Sequence, residues 1–247
     1  MIDAIRTLRY SQEGQEPMHA HQQGQLIILA CGVARVRAAH QLWALVPGQA
    51  LWIPGGAVHE LQAIVPLMTH NIYLTAEASR RFGSEFKGLQ ATPLLNELVE
   101  ARLGGGNDPQ RHELLSKLIL SELQRLPALT LCHLTLPQDR RTRLLCDALC
   151  ASPAHGETLA WWSKTVGASE RTLARLFREE TRMSFSEWRQ QLRLVEAIFH
   201  LARGATIASL ALEMGYKTPS AFIAMFKKRL GVSPQRYLRP TTQINSE

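Results

Sequence analysis

No apolar run in this 247-residue chain approaches the roughly 18 residues a membrane-spanning helix needs, so a helical membrane protein is excluded. The N-terminus also lacks the basic-then-apolar pattern of a secretory leader, and a cytoplasmic, nucleoid-associated protein is the expectation. The four cysteines, Cys31, Cys132, Cys146 and Cys150, show no framework spacing. A disulfide scaffold is therefore not expected, and these thiols should be reduced and mostly buried. Cys146 and Cys150 stand four apart on an expected helix, where they could meet. The run Gly104-Gly105-Gly106 is followed by no Gly-Lys-Ser/Thr, which removes a phosphate-loop reading.

Net basic charge is missing from the first half. Residues 1–138 hold 11 Lys and Arg against 11 Asp and Glu, whereas residues 139–247 hold 17 against 10, the whole +7 of the chain. That asymmetry points the second half toward a polyanion. The length and a 45% apolar fraction suit two globular domains with separate cores.

The second half contains one pattern twice. Leu159–Gly167 and Glu170–Arg178 form an apolar helix, a glycine turn and a second helix, and Ile207–Gly215 and Pro219–Lys227 repeat it. Ser184, Trp188 and Phe177 recur 49 residues later as Ser233, Tyr237 and Phe226. A paired helix–turn–helix of this kind sets its second helix into a DNA groove. In the first copy Leu173, Leu176 and Phe177 make an inward stripe, and Arg171, Ala174, Arg175 and Arg178 an outward one. Guanidinium forks suit guanine O6 and N7, or a phosphate. The bland alternative is a solvated face in which those arginines pair with Glu170, Glu179 and Glu180. In the second copy Phe222, Met225 and Phe226 point inward, while Ser220, Ile223, Ala224 and Lys227 point outward. No long fork lies there, so the first copy should read sequence. The second should mainly position, through Lys217, Lys227 and Lys228 on phosphates. Between the copies, one helix from Ser184 to about Arg203 could span roughly 30 Å and set both readers into successive major grooves.

Residues 1–75 read as short strands at Leu26–Leu29, Val33–Val36, Gln41–Val46, Ala50–Ile53 and His70–Leu74, the pattern of a small sandwich or barrel. Within them, His19-x-His21, Gln25 and Gly32, then Gly48, Pro54-x-Gly56 and His59, resemble the two motifs of the cupin family. Gln25 stands where that family usually has Glu, and Ala63 where it usually has Asn. The resemblance implies a β-barrel in which His19, His21 and His59 converge on a metal. Three neutral imidazoles suit Zn²⁺ or another transition metal, with Gln25 able to add an amide oxygen. A metal-free pocket for a small organic effector uses the same residues. No general acid or base is evident beside them, so catalysis is not expected.

Residues 76–138 read as a helical hairpin and a linker. Thr92-Pro93 and Asp108-Pro109 each supply a cap and a first-turn proline, for helices over Leu94–Leu103 and to about Leu126. Leu114, Leu115, Leu118, Ile119 and Leu123 share a face that packs on the barrel or on a second copy of the chain.

Residues from about 140 to 240 resemble the AraC/XylS family of bacterial transcription regulators, through the tandem motif, Gly215-Tyr216, Ser220-Ala-Phe, Phe226-Lys-Lys and Gly231-Val-Ser-Pro-x-x-Tyr237. The family's base-contacting positions fall on Arg171, Thr172, Ala174 and Arg175, then on Pro219, Ser220, Ile223 and Ala224. The resemblance implies an α+β protein of two domains. An N-terminal cupin-like β-barrel (1–75) with a helical hairpin (76–138) precedes an all-α domain of two tandem helix–turn–helix motifs (139–240). The expected function is sequence-specific transcription regulation at a promoter or operator, controlled by a small effector or metal in the barrel and not enzymatic. RNA polymerase is a partner if the protein activates, and a homodimer through the hairpin stands as an equal alternative to packing of the hairpin on the barrel. The rival is a cupin metalloenzyme whose helical half is an interaction module.

Overall fold

The computed structural model describes residues 1–104, 106 and 108–238. Gly105 of the glycine run and residues 239–240, at the end of the expected DNA-binding domain, lie outside the described residues. The chain opens with β1 (Ile2–Tyr10), β2 (Gln15–His19), β3 (Gly24–Cys31), β4 (Ala34–Ala38), β5 (Gln41–Leu45), β6 (Gln49–Ile53), β7 (His59–Ala63) and β8 (Leu67–Leu74). Then come α1 (Ala76–Ser79), β9 (Lys87–Gln90), α2 (Pro93–Gly104), α3 (Pro109–Leu123) and β10 (Cys132–Thr135). Among the described residues seven helices follow: α4 (Arg140–Ala151), α5 (Leu159–Val166), α6 (Glu170–Thr181), α7 (Phe185–Ala202), α8 (Ile207–Glu213), α9 (Pro219–Leu230) and α10 (Pro234–Tyr237). Two compact units result: Met1–Ala39 with Leu45–Leu131, and His40–Ala44 with Cys132–Leu238.

In the first unit an antiparallel sheet runs in the order β1-β8-β3-β6-β9, and β4, β7 and β2 form a second layer. Neither layer closes on itself, so the expected barrel is an open arrangement of two sheets. β3 and β6 are buried along almost their whole lengths, as strands covered on both faces must be. The alternation of side chains along β3 and β8 divides their cargo. Leu26, Ile28, Ile72 and Leu74 join Trp52 and the helical residues Leu95, Val99, Ile119 and Leu123 in one core, while buried Gln25, Thr69 and Asn71 carry the polar groups. β1 was not legible as a strand, because exposed and half-buried residues mix along it, yet it pairs with β8 in register from Ala4 to Tyr10, with an irregularity between Ile2 and Ala4.

The hairpin is capped as its sequence predicts. Leu95 N–H donates to Thr92 Oγ1 at 3.1 Å, and Gln110 and Arg111 N–H groups donate to Asp108 Oδ1. Its leucine stripe is split, however. Ile119 and Leu123 are buried on the sheet, whereas Leu114 and Leu118 remain 57% and 53% exposed.

In the second unit β10 pairs antiparallel with β5, Cys132 opposite Ala44 and Thr135 opposite Gln41. The linker expected at the end of residues 76–138 thus includes a strand. α7 carries Trp188, Leu192, Val195 and Phe199 fully buried and begins with a capping box between Ser184 and Glu187. Its arginines tie down the chain on either side. Arg189 donates to the carbonyls of Glu157 and His155, Arg193 Nε donates to Pro153 O at 3.0 Å, and the Arg193 guanidinium lies over the Tyr216 ring.

The repeat is repeated in its caps. Thr158 and Thr206 open α5 and α8, and Ser169 and Thr218 open α6 and α9, each side chain accepting a backbone N–H. Gly167 and Gly215 turn the chain between helices at φ +67° and +76°, a conformation that strains any residue with a Cβ. Of the two inward stripes, Leu173, Leu176, Phe177, Phe222 and Phe226 are buried, and Met225 is half-buried. Phe226 packs edge-on against Tyr237, and Phe177 against Trp188, as the 49-residue equivalence requires.

Candidate DNA-reading surface and histidine site

The outward stripe of α6 is in place. Arg171, Arg175 and Arg178 are exposed along one side of the helix, with Thr172 and Ala174 half-buried among them. Thr172 is held at the helix start by Ser169, its N–H donating to Ser169 Oγ at 3.1 Å. The acidic neighbours divide in their roles. Glu179 holds Arg175, with Nη1 to Oε2 at 2.6 Å. Glu180 turns away and accepts the N–H groups of Gln138 and Asp139, capping α4 instead of pairing an arginine. Arg175 therefore meets the bland alternative in part. Arg171 and Arg178 have no ion-pair partner within hydrogen-bonding distance among the described residues.

On α9, Pro219, Ser220, Ala224, Lys227 and Lys228 are exposed and Ile223 is half-buried, with exposed Lys217 in the preceding turn. Pro219 occupies the first turn, where a missing N–H costs nothing. The last turn of α9 carries Lys227, Lys228 and Arg229, charges that complement a helix C-terminus as well as a polyanion. Arg229 is engaged with Gln190 Oε1 at 3.0 Å. Trp161, for which the second copy has Ser209, is 43% exposed and meets Trp162 edge-on at 4.8 Å.

The three cupin-motif histidines converge. One ligating atom from each of His19, His21 and His59 lies within 4.8 Å of the others. His19 ends β2, but His21 stands beyond it, so convergence comes from the loop into β3 and not from a shared strand face. Each Nδ1 contacts a carbonyl two residues away: Pro17 O from His19 at 2.8 Å, Gln23 O from His21 at 2.7 Å, Ala57 O from His59 at 2.9 Å. A carbonyl can only accept, so each Nδ1 carries its proton; Nε2 of His19 and His59 is left for a ligand, whereas His21 Nε2 is already engaged by the Gln25 amide. His59 Nε2 is buried with no hydrogen-bond partner, and burial, with His19 and His21 adding to it, lowers its pKa from 6.5 to about 4. His59 is thus held as a neutral imidazole.

Gln25 is committed elsewhere. Its Oε1 is 2.8 Å from His21 Nε2, and its Nε2 donates to Asn71 Oδ1 at 2.9 Å. Asn71 Nδ2 in turn donates to Thr69 Oγ1. Tyr73 closes the side of the site, its ring 5.5 Å from His21 and its hydroxyl 3.3 Å from Gln25 Nε2. Burial and the Glu16 carboxylate raise the pKa of Tyr73, and they raise that of Tyr10 as well. Thr69, Asn71, Tyr73 and Glu16 were not singled out from sequence. The only signal was β8's run of alternating polar residues. Of the cysteines, Cys132 and Cys146 are buried, and that burial pushes Cys132 up to about 12 and Cys146 higher still, while Cys31 is exposed and Cys150 half-buried.

Two helix–turn–helix units strung on one helix, each with an exposed second helix, define a DNA-binding transcription regulator. A helix-turn-helix domain family matches residues 162–240. The HTH-type transcriptional regulator NimR of Escherichia coli K12 is 32% identical over 235 residues, covering 94% of this chain and 85% of that protein. The HTH-type transcriptional activator RhaR of Cronobacter sakazakii is 23% identical over 252 residues, covering 88% and 84%. The solved structure of ToxT from Vibrio cholerae, bound to an unsaturated fatty acid, covers 99% of this chain and 97% of its own at 10% identity, with a TM-score of 0.42. The chain belongs to the AraC/XylS family of transcription regulators.

Among the described residues, no helix is long and apolar enough to cross a membrane.

Proposed function

We propose that α6 reads bases through Arg171, Thr172, Ala174, Arg175 and Arg178. α9 enters the next groove with Pro219, Ser220, Ile223 and Ala224, while Lys217, Lys227 and Lys228 meet phosphates. The observation that carries this reading is the in-phase exposure of Arg171, Arg175 and Arg178 opposite the buried Leu173, Leu176 and Phe177. The target is promoter or operator DNA in the cytoplasm. In this reading residues 139–240 bind DNA, residues 1–75 sense a ligand, and residues 76–138 join two copies through Leu114 and Leu118. RNA polymerase is a partner if the protein activates. No catalytic step is assigned.

The ligand-sensing residues are His19, His21, His59 and Gln25. The donor set fits a zinc-like divalent cation: three imidazoles with outer carbonyl partners, one Nε2 buried and unpartnered. His19 and His59 would hold the ion, and His21 would join by exchanging Gln25 for it. Gln25 orients His21 in this scheme. A bound cation would supply charge and cross-linking between β2 and β7, and a small effector could take its place at the same residues. Control of DNA binding requires the ligand to favour one arrangement of the protein over another.

A genome-wide binding profile of the intact protein, followed by footprinting of Arg171→Ala and Arg175→Ala on the sites found, tests the reading. Unchanged footprints in both variants would remove α6 from base recognition. For the metal, elemental analysis of wild type against His19→Ala/His59→Ala decides, and equal metal content would end that part.

A further inference from the structure

The supporting helices of the two copies, α5 and α8, start alike and then diverge on their exposed sides. Trp161 N–H donates to the capping Thr158 Oγ1 at 3.3 Å, and Ser209 N–H to the capping Thr206 Oγ1 at 3.1 Å, so Trp161 and Ser209 are equivalent. In the same register Lys164 and Thr165 correspond to Leu212 and Glu213. All six side chains are exposed, and each set of three shares one helix face at i, i+3 and i+4.

The chemistry of the two faces differs. α5 presents an indole N–H and an ammonium, and it contains no acidic residue. Neither donor has a hydrogen-bond or ion-pair partner among the described residues. α8 presents a leucine and a carboxylate in their place. Leu212 is 70% exposed, and Glu213 accepts from the Ser209 hydroxyl at 2.6 Å and faces His200 Nδ1 at 3.2 Å. The hydroxyl that replaces the indole is thus occupied by an acid that repels an anion.

Trp161 is also braced. Its ring stands edge-on to the buried Trp162 at 4.8 Å and lies 5.8 Å from the His155 ring. A donor held between two rings loses little freedom when it meets an acceptor. An indole N–H can only donate, and a lysine ammonium acts as a point charge, so the pair suits anionic oxygens. In a helix–turn–helix the first helix crosses the sugar–phosphate backbone while the second lies in the groove. The acceptor in reach of α5 is therefore phosphate.

We propose that Trp161 and Lys164 grip the DNA backbone beside the groove read by α6, and that α8 has no such grip. This rests on the reading of α6 as the base-reading helix and adds two positioning residues outside both recognition helices. The first half-site is then held from two helices and the second from one.

Phosphate-ethylation interference and salt-dependent affinity of the full chain, on a site taken from its binding profile, test the assignment. Trp161→Phe keeps a ring and removes the N–H. Its binding should weaken about tenfold, equally on cognate and random DNA, with interference lost at one phosphate flanking the first half-site. Lys164→Ala should lower the salt slope by about one, and Trp161→Phe should leave it unchanged. Ser209→Ala should bind as wild type does. The grip is overturned by wild-type affinity and interference in Trp161→Phe, which would make the exposed indole a protein-docking group. A shifted base preference in that variant, or an equal loss in Ser209→Ala, overturns it too. If a lowered urea midpoint shows that Trp161→Phe is misfolded, Lys164→Ala decides, and an unchanged salt slope there ends the proposal. Wild type that binds no DNA removes the α6 reading itself, whereas intact wild-type binding with unaltered variants sinks the grip alone.

Discussion

The indole Nε1 of Trp188 donates to the carbonyl oxygen of Thr135 at 2.7 Å, joining α7 to a strand 53 residues earlier in the chain. Three residues further along α7, Gln191 Nε2 makes the same kind of bond to His133 O at 2.7 Å. The helix between the two readers is thus docked on β10 mainly through main-chain carbonyls, with Gln191 Nε2 also 3.9 Å from Cys132 Sγ. Trp188→Phe should keep the ring packing and lose the donor, at a cost of about 1 kcal/mol for one hydrogen bond to a half-buried carbonyl. Urea denaturation reads this directly, and an unchanged midpoint would mean the bond contributes nothing net.

The grip of Glu179 on Arg175 has a cost and a use. It offsets a positive charge, and it also fixes the guanidinium before DNA arrives. Glu179→Gln is expected to raise affinity for random DNA while lowering the ratio of cognate to random binding. Arg171→Ala should cost about 1–3 kcal/mol on the cognate site and relax preference there. Competition binding with shuffled DNA measures both, and an unaltered ratio in Glu179→Gln would argue that Arg175 is ordered by DNA alone.

Lys227 lies past the residues assigned to base edges on α9. Lys227→Ala should weaken binding evenly across sequences and reduce the salt slope by about one. A shifted base preference in this variant would contradict a phosphate role.

In chelator-treated protein, stability should decline as pH falls from 6.5 toward about 4, because an unfolded chain protonates His59 in that window and the folded one holds it neutral. The loss is at most about 3 kcal/mol and is complete below the folded value. Denaturation at several pH values in wild type and His59→Gln checks it: the variant's profile should be flatter over that range.

Leu114 and Leu118, one helical turn apart on α3, are each more than half exposed. Leu118→Glu is expected to lower the sedimenting mass from dimer to monomer with little change in folding stability. An identical mass for both proteins would take this face out of any self-association.

The features legible in the sequence were local. Caps such as Ser169 and Thr218 act within three residues, and buried stripes such as Leu173, Leu176 and Phe177 follow from helical period alone. The histidine spacing was also visible, although His21 reaches the site from a loop and not from a strand face. Long-range partners were not legible. β10 is four residues whose pairing strand, β5, lies about ninety residues earlier, and no periodicity announces such a match. Gln25 read as a potential ligand because its amide oxygen suits a cation; its prior commitment to Asn71 appears only once β3 and β8 are side by side. The split of the α3 leucines depended on where the sheet ended, which the leucines themselves do not encode.

α7 sets a geometric rule for any target. Arg189 secures the approach to the first reader and Arg193 the turn of the second, on a helix of 18 residues, about 27 Å long. The rotational phase between the two recognition helices is therefore built into the protein. Moving one half-site by about 5 base pairs would carry it to the far side of the duplex, and moving it by about 10 would restore the face but not the reach. Selection on a regulatory region bound by this protein should then act on the interval between half-sites as strictly as on their letters.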